Sequence, residues 1–304
     1  MTFSCKEQIE FLTPFWKGER LEDGRPKVDG SILERLRHLT LEETWNYIYF
    51  NHGYKFQFQS GFQYTNPDPD YRLVGRAVTA VLMPTRPDLH ELLMRQGGEV
   101  EGRSGTFNQW VIDSLVEDDV VVADFYDKVR DGTFVGGNLS TAIKSRTKRG
   151  GAVFWGGIRD MEQITKIEGL QILHRGEDPT AIADYVMTGF NTPCRIGLAT
   201  CLPGDVVYAS KAGVMFIPAH LAEDVATNAE KYKVRDVFGF KCLQEGKYST
   251  SQIDRPWTSE IFNDFQNWFK AAPEAKNYSH LNWEQEALDA KKEDEEINVA
   301  KVMI

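Results

Sequence analysis

Two glycine-flanked segments hold the residues of this 304-residue chain whose types and spacing could do chemistry. The first reads Gly136-Gly137-Asn138-Leu139-Ser140-Thr141, and the second Gly150-Gly151-Ala152-Val153-Phe154-Trp155-Gly156-Gly157-Ile158-Arg159-Asp160. A Gly-Gly turn that opens a helix leaves backbone N–H groups unpaired for an anion. Those of Leu139 and Ser140 are the natural donors, and Gly137 permits close approach of a ligand. An apolar strand ending in Arg-Asp sets a cation and a carboxylate at the rim of a sheet. Arg159 can hold a carboxylate in a two-pronged pair. Asp160 is a hard oxygen ligand suited to Mg²⁺ or Mn²⁺. Taken singly, the first segment also reads as a plain tight turn and the second as a surface ion pair. Neither carries the Gly-x-Gly-x-x-Gly of a dinucleotide fold or the Gly-Lys-Ser/Thr of a phosphate loop.

The elements around these segments alternate between strand and helix, which argues for an α/β layer. Tyr71–Met83 is rich in Val, Leu and Thr and reads as a long strand. Thr106–Val116 reads as an amphipathic helix. Asp119–Ala123 reads as a short strand, followed by a charged loop over Asp124–Phe134. A helix over Leu139–Arg149, a buried strand over Ala152–Trp155, a helix over Met161–Ile167 and a strand over Leu170–His174 complete the centre. Cys194–Leu198, Val206–Ser210 and Val214–Ile217 read as short strands, the last two as a hairpin. Ala219–Tyr232 reads as a helix.

Upstream, residues 1–30 look like an irregular arm. Ser31 is a plausible cap for a helix to Leu39, and Thr40 with Glu43 forms a capping box for the next one. From residue 235 no convincing strand occurs, and Ser259–Phe269 and Trp283–Val302 read as helices. The expected division is an arm (1–30), an α/β domain (31–234) and a helical extension (235–304).

The net charge of −10 disfavours a nucleic-acid groove. No apolar run reaches the length of a membrane span, and no signal peptide is evident, so a cytoplasmic protein with reduced thiols is expected. The cysteines and histidines fall in no zinc pattern. Trp155, Phe154, Phe125 and Tyr126 near the glycine segments read as core more readily than as a sugar-stacking wall.

The order of parts resembles the RraA-like family, which includes 4-hydroxy-4-methyl-2-oxoglutarate/4-carboxy-4-hydroxy-2-oxoadipate aldolases, with some members named as demethylmenaquinone methyltransferases. The likeness rests on Leu73-Val74-Gly75-Arg76-Ala77-Val78-Thr79, on Gly137 to Ala142, and on Arg149 to Val153 leading to Gly157-Ile158-Arg159-Asp160. It rests also on Pro203-Gly204-Asp205-Val206-Val207 leading to Gly213 to Pro218. The resemblance implies a swivelling α/β/α fold with a central mixed β core, trimers or hexamers, and a site near subunit contacts.

It further implies a metal-dependent lyase acting on a 2-oxo acid or sugar-acid derivative by retro-aldol cleavage or decarboxylation, through a metal-stabilised enolate. By this likeness Arg159 binds the substrate carboxylate, assisted by the N–H groups of Leu139 and Ser140, and Asp160 holds Mg²⁺ or Mn²⁺. The aldolases carry an acid, twenty intervening residues and then Arg-Asp; here Asn138 stands in place of the acid, at the same spacing. A neutral amide orients water but is no general base. Asp124 is the first candidate to replace it, ahead of Glu99, Glu162 and His174. A second departure is Ser210-Lys211-Ala212, where acidic residues are usual. The alternatives are a non-catalytic protein-binding regulator of the kind that gave the family its name, and a different reaction on the same scaffold.

Overall fold

The computed structural model describes the backbone of residues 3–302 and the side chains of residues 3–297. Met1, Thr2, Met303 and Ile304, at the ends of the expected arm and extension, lie outside the described residues. The chain divides into two compact units, residues 1–226 and 227–304.

In the first unit the strands are β1 (Phe58–Gln59), β2 (Gln63–Tyr64), β3 (Leu73–Pro84), β4 (Asp119–Thr133), β5 (Gly151–Ile158), β6 (Ile172–His174), β7 (Gly176–Glu177), β8 (Tyr185–Phe190), β9 (Cys194–Ile196), β10 (Ala199–Cys201), β11 (Val206–Ser210) and β12 (Gly213–Ile217). Ten of them form one mixed sheet in the order β1-β12-β11-β3-β4-β5-β6-β2, with β7 beside β5 and β8 beside β3. The β3-β4-β5-β6 centre is parallel, whereas β8 and β11 run antiparallel to β3. The fold is thus the mixed α/β type that the sequence pattern implies.

The parallel strands are apolar on both faces because both faces are covered. Alternation along β4 sends Val121, Ala123 and Phe125 into one core cluster, and Val120 and Val122 into another. On the first face lie α5 (Phe107–Asp113), α6 (Gly137–Thr147) and α7 (Met161–Ile164), which contribute Trp110, Ile143 and Ile164. They follow α1 (Lys6–Leu12), α2 (Gly30–Arg37), α3 (Leu41–Asn46) and α4 (Pro87–Arg95) in chain order. The β9–β10 hairpin supplies Cys194, Ile196, Ala199 and Cys201 to the second face.

Several expectations change. The charged stretch after Asp124 is strand: β4 continues to Thr133 through two register shifts, pairing Lys128 with Gly156 and Thr133 with Gly157. Tyr126, Asp127 and Asp131 take positive φ there, which lets a polar, bulged edge run past β5. The arm is not irregular throughout, since it contains α1, and Arg25 is buried with its guanidinium on both carboxylate oxygens of Asp119 at 2.9 and 3.0 Å. Asp29, not Ser31, caps α2 by accepting from the Ser31 N–H at 2.8 Å. The Thr40–Glu43 capping box forms as expected. β1, β2, β7, β8 and β10 have no counterpart among the strands read from the sequence.

In the second unit, the later part of α8 (Ala222–Gln244), α9 (Thr250–Ile253), α10 (Ser259–Ala271) and α11 (Glu284–Val302) enclose a cluster around Phe265, with Phe238, Trp257, Ile261 and Trp283. α8 outruns the expected end at Tyr232, because Val234, Phe238 and Cys242 continue its apolar face. No helix among the described residues is long and apolar enough to cross a membrane.

Candidate functional site

The carboxyl end of a parallel strand is where α/β sheets open to ligands, and β5 ends there on Arg159 and Asp160. The returning segment before α6 is zipped alongside: the Phe134 N–H donates to Gly157 O at 3.0 Å, and the Arg159 N–H donates to Val135 O at 3.1 Å. Asp160 turns the chain into α7 in a left-handed conformation (φ 60°, ψ 38°), which an Asp tolerates and a β-branched residue does not. Its Oδ2 accepts the Gly137 N–H at 3.1 Å. A Cβ at Gly136 would stand 2.3 Å from that same oxygen, so only glycine lets the helix terminus approach the carboxylate this closely.

A cavity of about 340 Å³ opens over this junction. Gly136, Gly137, Asn138, Leu139, Arg159 and Asp160 line it, and the sequence reading had named all but Gly136 as site residues. Arg159 is half-buried, and its guanidinium has no hydrogen bond or ion pair among the described residues. At the head of α6, the Asn138 and Leu139 N–H groups likewise have no acceptor among the described residues, at the positive end of an eleven-residue helix. The cavity therefore presents a cation, two open backbone donors and one carboxylate.

Residues 43–216 match the model of the RraA-like (Aldolase/RraA) family, which is more than half of the chain. The chain belongs to the RraA-like family. The RraA-like fold recurs in an uncharacterized protein from Pseudomonas syringae pv. tomato, at 18% identity and TM-score 0.61, covering 75% of this chain and 94% of that one. It recurs in RraAS2 of Streptomyces coelicolor, described as an unusual member of the RNase ES inhibitor RraA protein family, at 22% identity and TM-score 0.58, covering 71% and 99%. At such identities the likeness concerns the fold. Comparison with curated proteins gives no match. The RraA-like family includes both aldolase/decarboxylase members and non-catalytic ribonuclease inhibitors.

On this RraA-like scaffold two expectations need correction. The Ser140 N–H is taken by Gly136 O at 3.0 Å as the first helical bond, so the open donors are those of Asn138 and Leu139. The Ser140 hydroxyl is buried and unpartnered. Asp124 does not line the cavity. The pleat that sends Phe125 toward α6 sends Asp124 to the opposite face, where it accepts the Tyr126 N–H at 2.9 Å and lies 3.8 Å from Arg195. Burial raises its pKa above the usual carboxylate value, with no part in the cavity.

The lower-ranked substitutes for the missing acid lie elsewhere too. Glu99 pairs with Arg95 at 3.0 Å, and Glu162 is exposed outside the cavity. His174 is fully buried, with its Nδ1 3.1 Å from Gly176 O. None of Trp155, Phe154, Phe125 and Tyr126 lines the cavity; Phe125 and Phe154 are core, and Trp155 carries Arg175 at 4.3 Å from its ring centre.

Besides Gly136, sequence reasoning missed Asn108, Thr133, Phe134, Gln163, Ala181 and Ile182 as lining residues. Asn108 is buried and donates to Phe134 O at 2.8 Å, which fixes the segment leading to Gly136. Only Gln163 had a local signal, three residues after Asp160 on the same short helix.

Proposed function

We propose that the protein is a divalent-metal-dependent lyase that acts on a small 2-oxo acid with a second carboxyl group, decarboxylation being the reaction its residues favour. The observation that carries this reading is the unpartnered Arg159 guanidinium beside a carboxylate, at the open end of α6, in a cavity with no other ionisable side chain. Arg159 would grip the C1 carboxylate, and the Asn138 and Leu139 N–H groups would take its remaining lone pairs.

No group of three or more His, Cys, Asp and Glu that could hold a metal exists among the described residues. A lone Asp160 therefore fits Mg²⁺ or Mn²⁺, which keep several waters and bind through one or two carboxylates plus substrate. Such an ion would supply Lewis-acid stabilisation of the charge developing on the 2-oxo oxygen.

The lack of a second acid or a base in the cavity separates the two candidate reactions. In decarboxylation, the electron pair of the C3–C4 bond passes into the 2-oxo group as carbon dioxide leaves, and water protonates C3. No side chain need accept a proton. Retro-aldol cleavage requires a base for the C4 hydroxyl, and Asn138 cannot be one. That same asparagine favours a second reading, in which the site binds a 2-oxo acid or nothing, and the protein acts by contact with a partner.

The test is oxaloacetate decarboxylation with and without Mg²⁺ or Mn²⁺. Metal-dependent turnover is expected, lost by about 10²-fold or more in Asp160→Asn, with Arg159→Met raising KM. Absence of both turnover and metal-dependent oxalate binding in the unmodified protein sinks the lyase reading and leaves the contact protein.

A further inference from the structure

Arg159 and Asp160 are the ionisable side chains that line the cavity at the end of β5. They account for the head of a 2-oxo acid and its metal, and leave the second carboxyl group of the proposed substrate without a partner. Four further lining residues carry polar side-chain atoms: Asn108, Thr133, Asn138 and Gln163. The first two are buried and committed elsewhere. Asn108 donates to Phe134 O at 2.8 Å and accepts from the Thr106 hydroxyl at 2.7 Å, and the Thr133 hydroxyl donates to Thr180 O at 2.7 Å. Asn138 and Gln163 are exposed, and their amides have no hydrogen bond among the described residues. Asn138 stands in the first turn of α6, beside the backbone donors that take the C1 carboxylate. Gln163 comes from the other wall, on α7 three residues after Asp160. Its amide lies over the head of α6: a Cβ at Gly137 would stand 2.1 Å from Gln163 Oε1 and 3.2 Å from its Cδ. Gly136 makes room in the same way for Asp160 Oδ2, so the glycine pair moulds around two side chains, one charged and one neutral.

An amide with no hydrogen bond to give up can turn its NH₂ toward a ligand without losing one. We infer that Gln163 is the specificity-determining residue of this site, its NH₂ donating to the distal carboxylate of a small 2-oxo diacid; the inference rests on the lyase reading. A neutral donor fits the chemistry. When the C3–C4 bond breaks, its electron pair passes to the 2-oxo group, the C4 carboxylate departs as uncharged carbon dioxide, and water protonates C3. A cation on that carboxylate would stabilise the bound substrate more than the transition state and so slow the step. An amide orients the same group and holds its charge less strongly.

Isothermal titration of the full chain in Mg²⁺ with racemic malate and racemic lactate isolates the distal carboxylate, the one group in which the two differ. Oxalate, which offers the head alone, is the control. The parent should bind malate about tenfold tighter than lactate. Gln163→Leu should erase that preference and leave oxalate binding unchanged. In turnover it should raise KM for oxaloacetate about tenfold with kcat little altered. Gln163→Arg should lower KM and kcat together, with metal-dependent oxalate binding showing that Asp160 is still open. Equal binding of malate and lactate by a parent that binds oxalate, or an unchanged preference in Gln163→Leu, overturns the assignment and leaves the lyase reading standing. Loss of oxalate binding in Gln163→Leu overturns it too, since Gln163 would then only support Arg159 and Asp160. A Gln163→Arg variant with lower KM and undiminished kcat overturns the case for a neutral donor. No binding of any probe and no turnover by the parent removes the lyase reading, and this inference with it.

Discussion

At the scale of single residues, the proposed lyase site depends on an atom that is absent. Gly136 has ordinary extended angles (φ −123°, ψ −161°), so alanine meets no backbone obstacle there. What it meets is Asp160 Oδ2 at 2.3 Å and the Arg159 side chain at 3.1 Å. Gly136→Ala must therefore push away the two charged groups on which the proposed chemistry rests. The cavity is open, so the displaced groups can move outward at small cost in stability. Misplacement by an ångström costs about 10²-fold in rate for a positioned reaction. The expected outcome is a drop of that order in metal-dependent decarboxylation with a melting temperature close to the parent. A large fall in melting temperature with activity retained per folded molecule would show that Gly136 serves packing alone.

At the scale of elements, what the sequence displayed was the pair β5 and α6. Their signals are local: an unbroken apolar run for a strand covered on both faces, and a Gly-Gly start for a helix. The fixed spacing between Asn138 and Arg159 survives as adjacency because one parallel crossover joins them. The side of the sheet on which Asp124 falls was not visible in the same way. It is decided by one step of the pleat, and the charged stretch after it reads as loop although Gly156 and Gly157 let a bulged strand pass close to β5. Asn108, Ala181 and Ile182 reach the cavity from distant segments, and no local pattern marks them. Asn138 sits in the first turn of α6, where an acid would also gain from the helix dipole by about 0.3–1 kcal/mol. Asn138→Asp should thus fold at least as stably and place a carboxylate in the cavity. It should introduce retro-aldol cleavage of a 4-hydroxy-2-oxo acid and hasten metal-dependent deuterium exchange at C3 of pyruvate by more than tenfold. No change in either would mean that position 138 does not face the reacting carbons.

At the scale of the whole molecule, the sheet is fastened by buried polar groups as well as by its apolar faces, and these govern how it responds to acid. Arg25 and Asp119 hold the arm to the start of β4 as a fully buried pair. His174 presents the opposite case. Its ring has no exposed surface, its Nδ1 faces a backbone carbonyl and its Nε2 has no partner among the described residues, so burial pushes its pKa from 6.5 down to about 4. The unfolded chain binds a proton at this histidine at a pH where the folded one does not. The stability conferred by keeping it neutral is therefore complete above pH 6.5 and is lost as the pH falls toward 4. A depression of that size corresponds to about 3 kcal/mol. His174→Leu removes the titration at the cost of one hydrogen bond to Gly176. Urea unfolding at pH 7 and at pH 4.5 should find the parent more stable at the higher pH, with a steeper loss on acidification than in the variant. Parallel loss in both proteins would assign the acid sensitivity to groups other than His174.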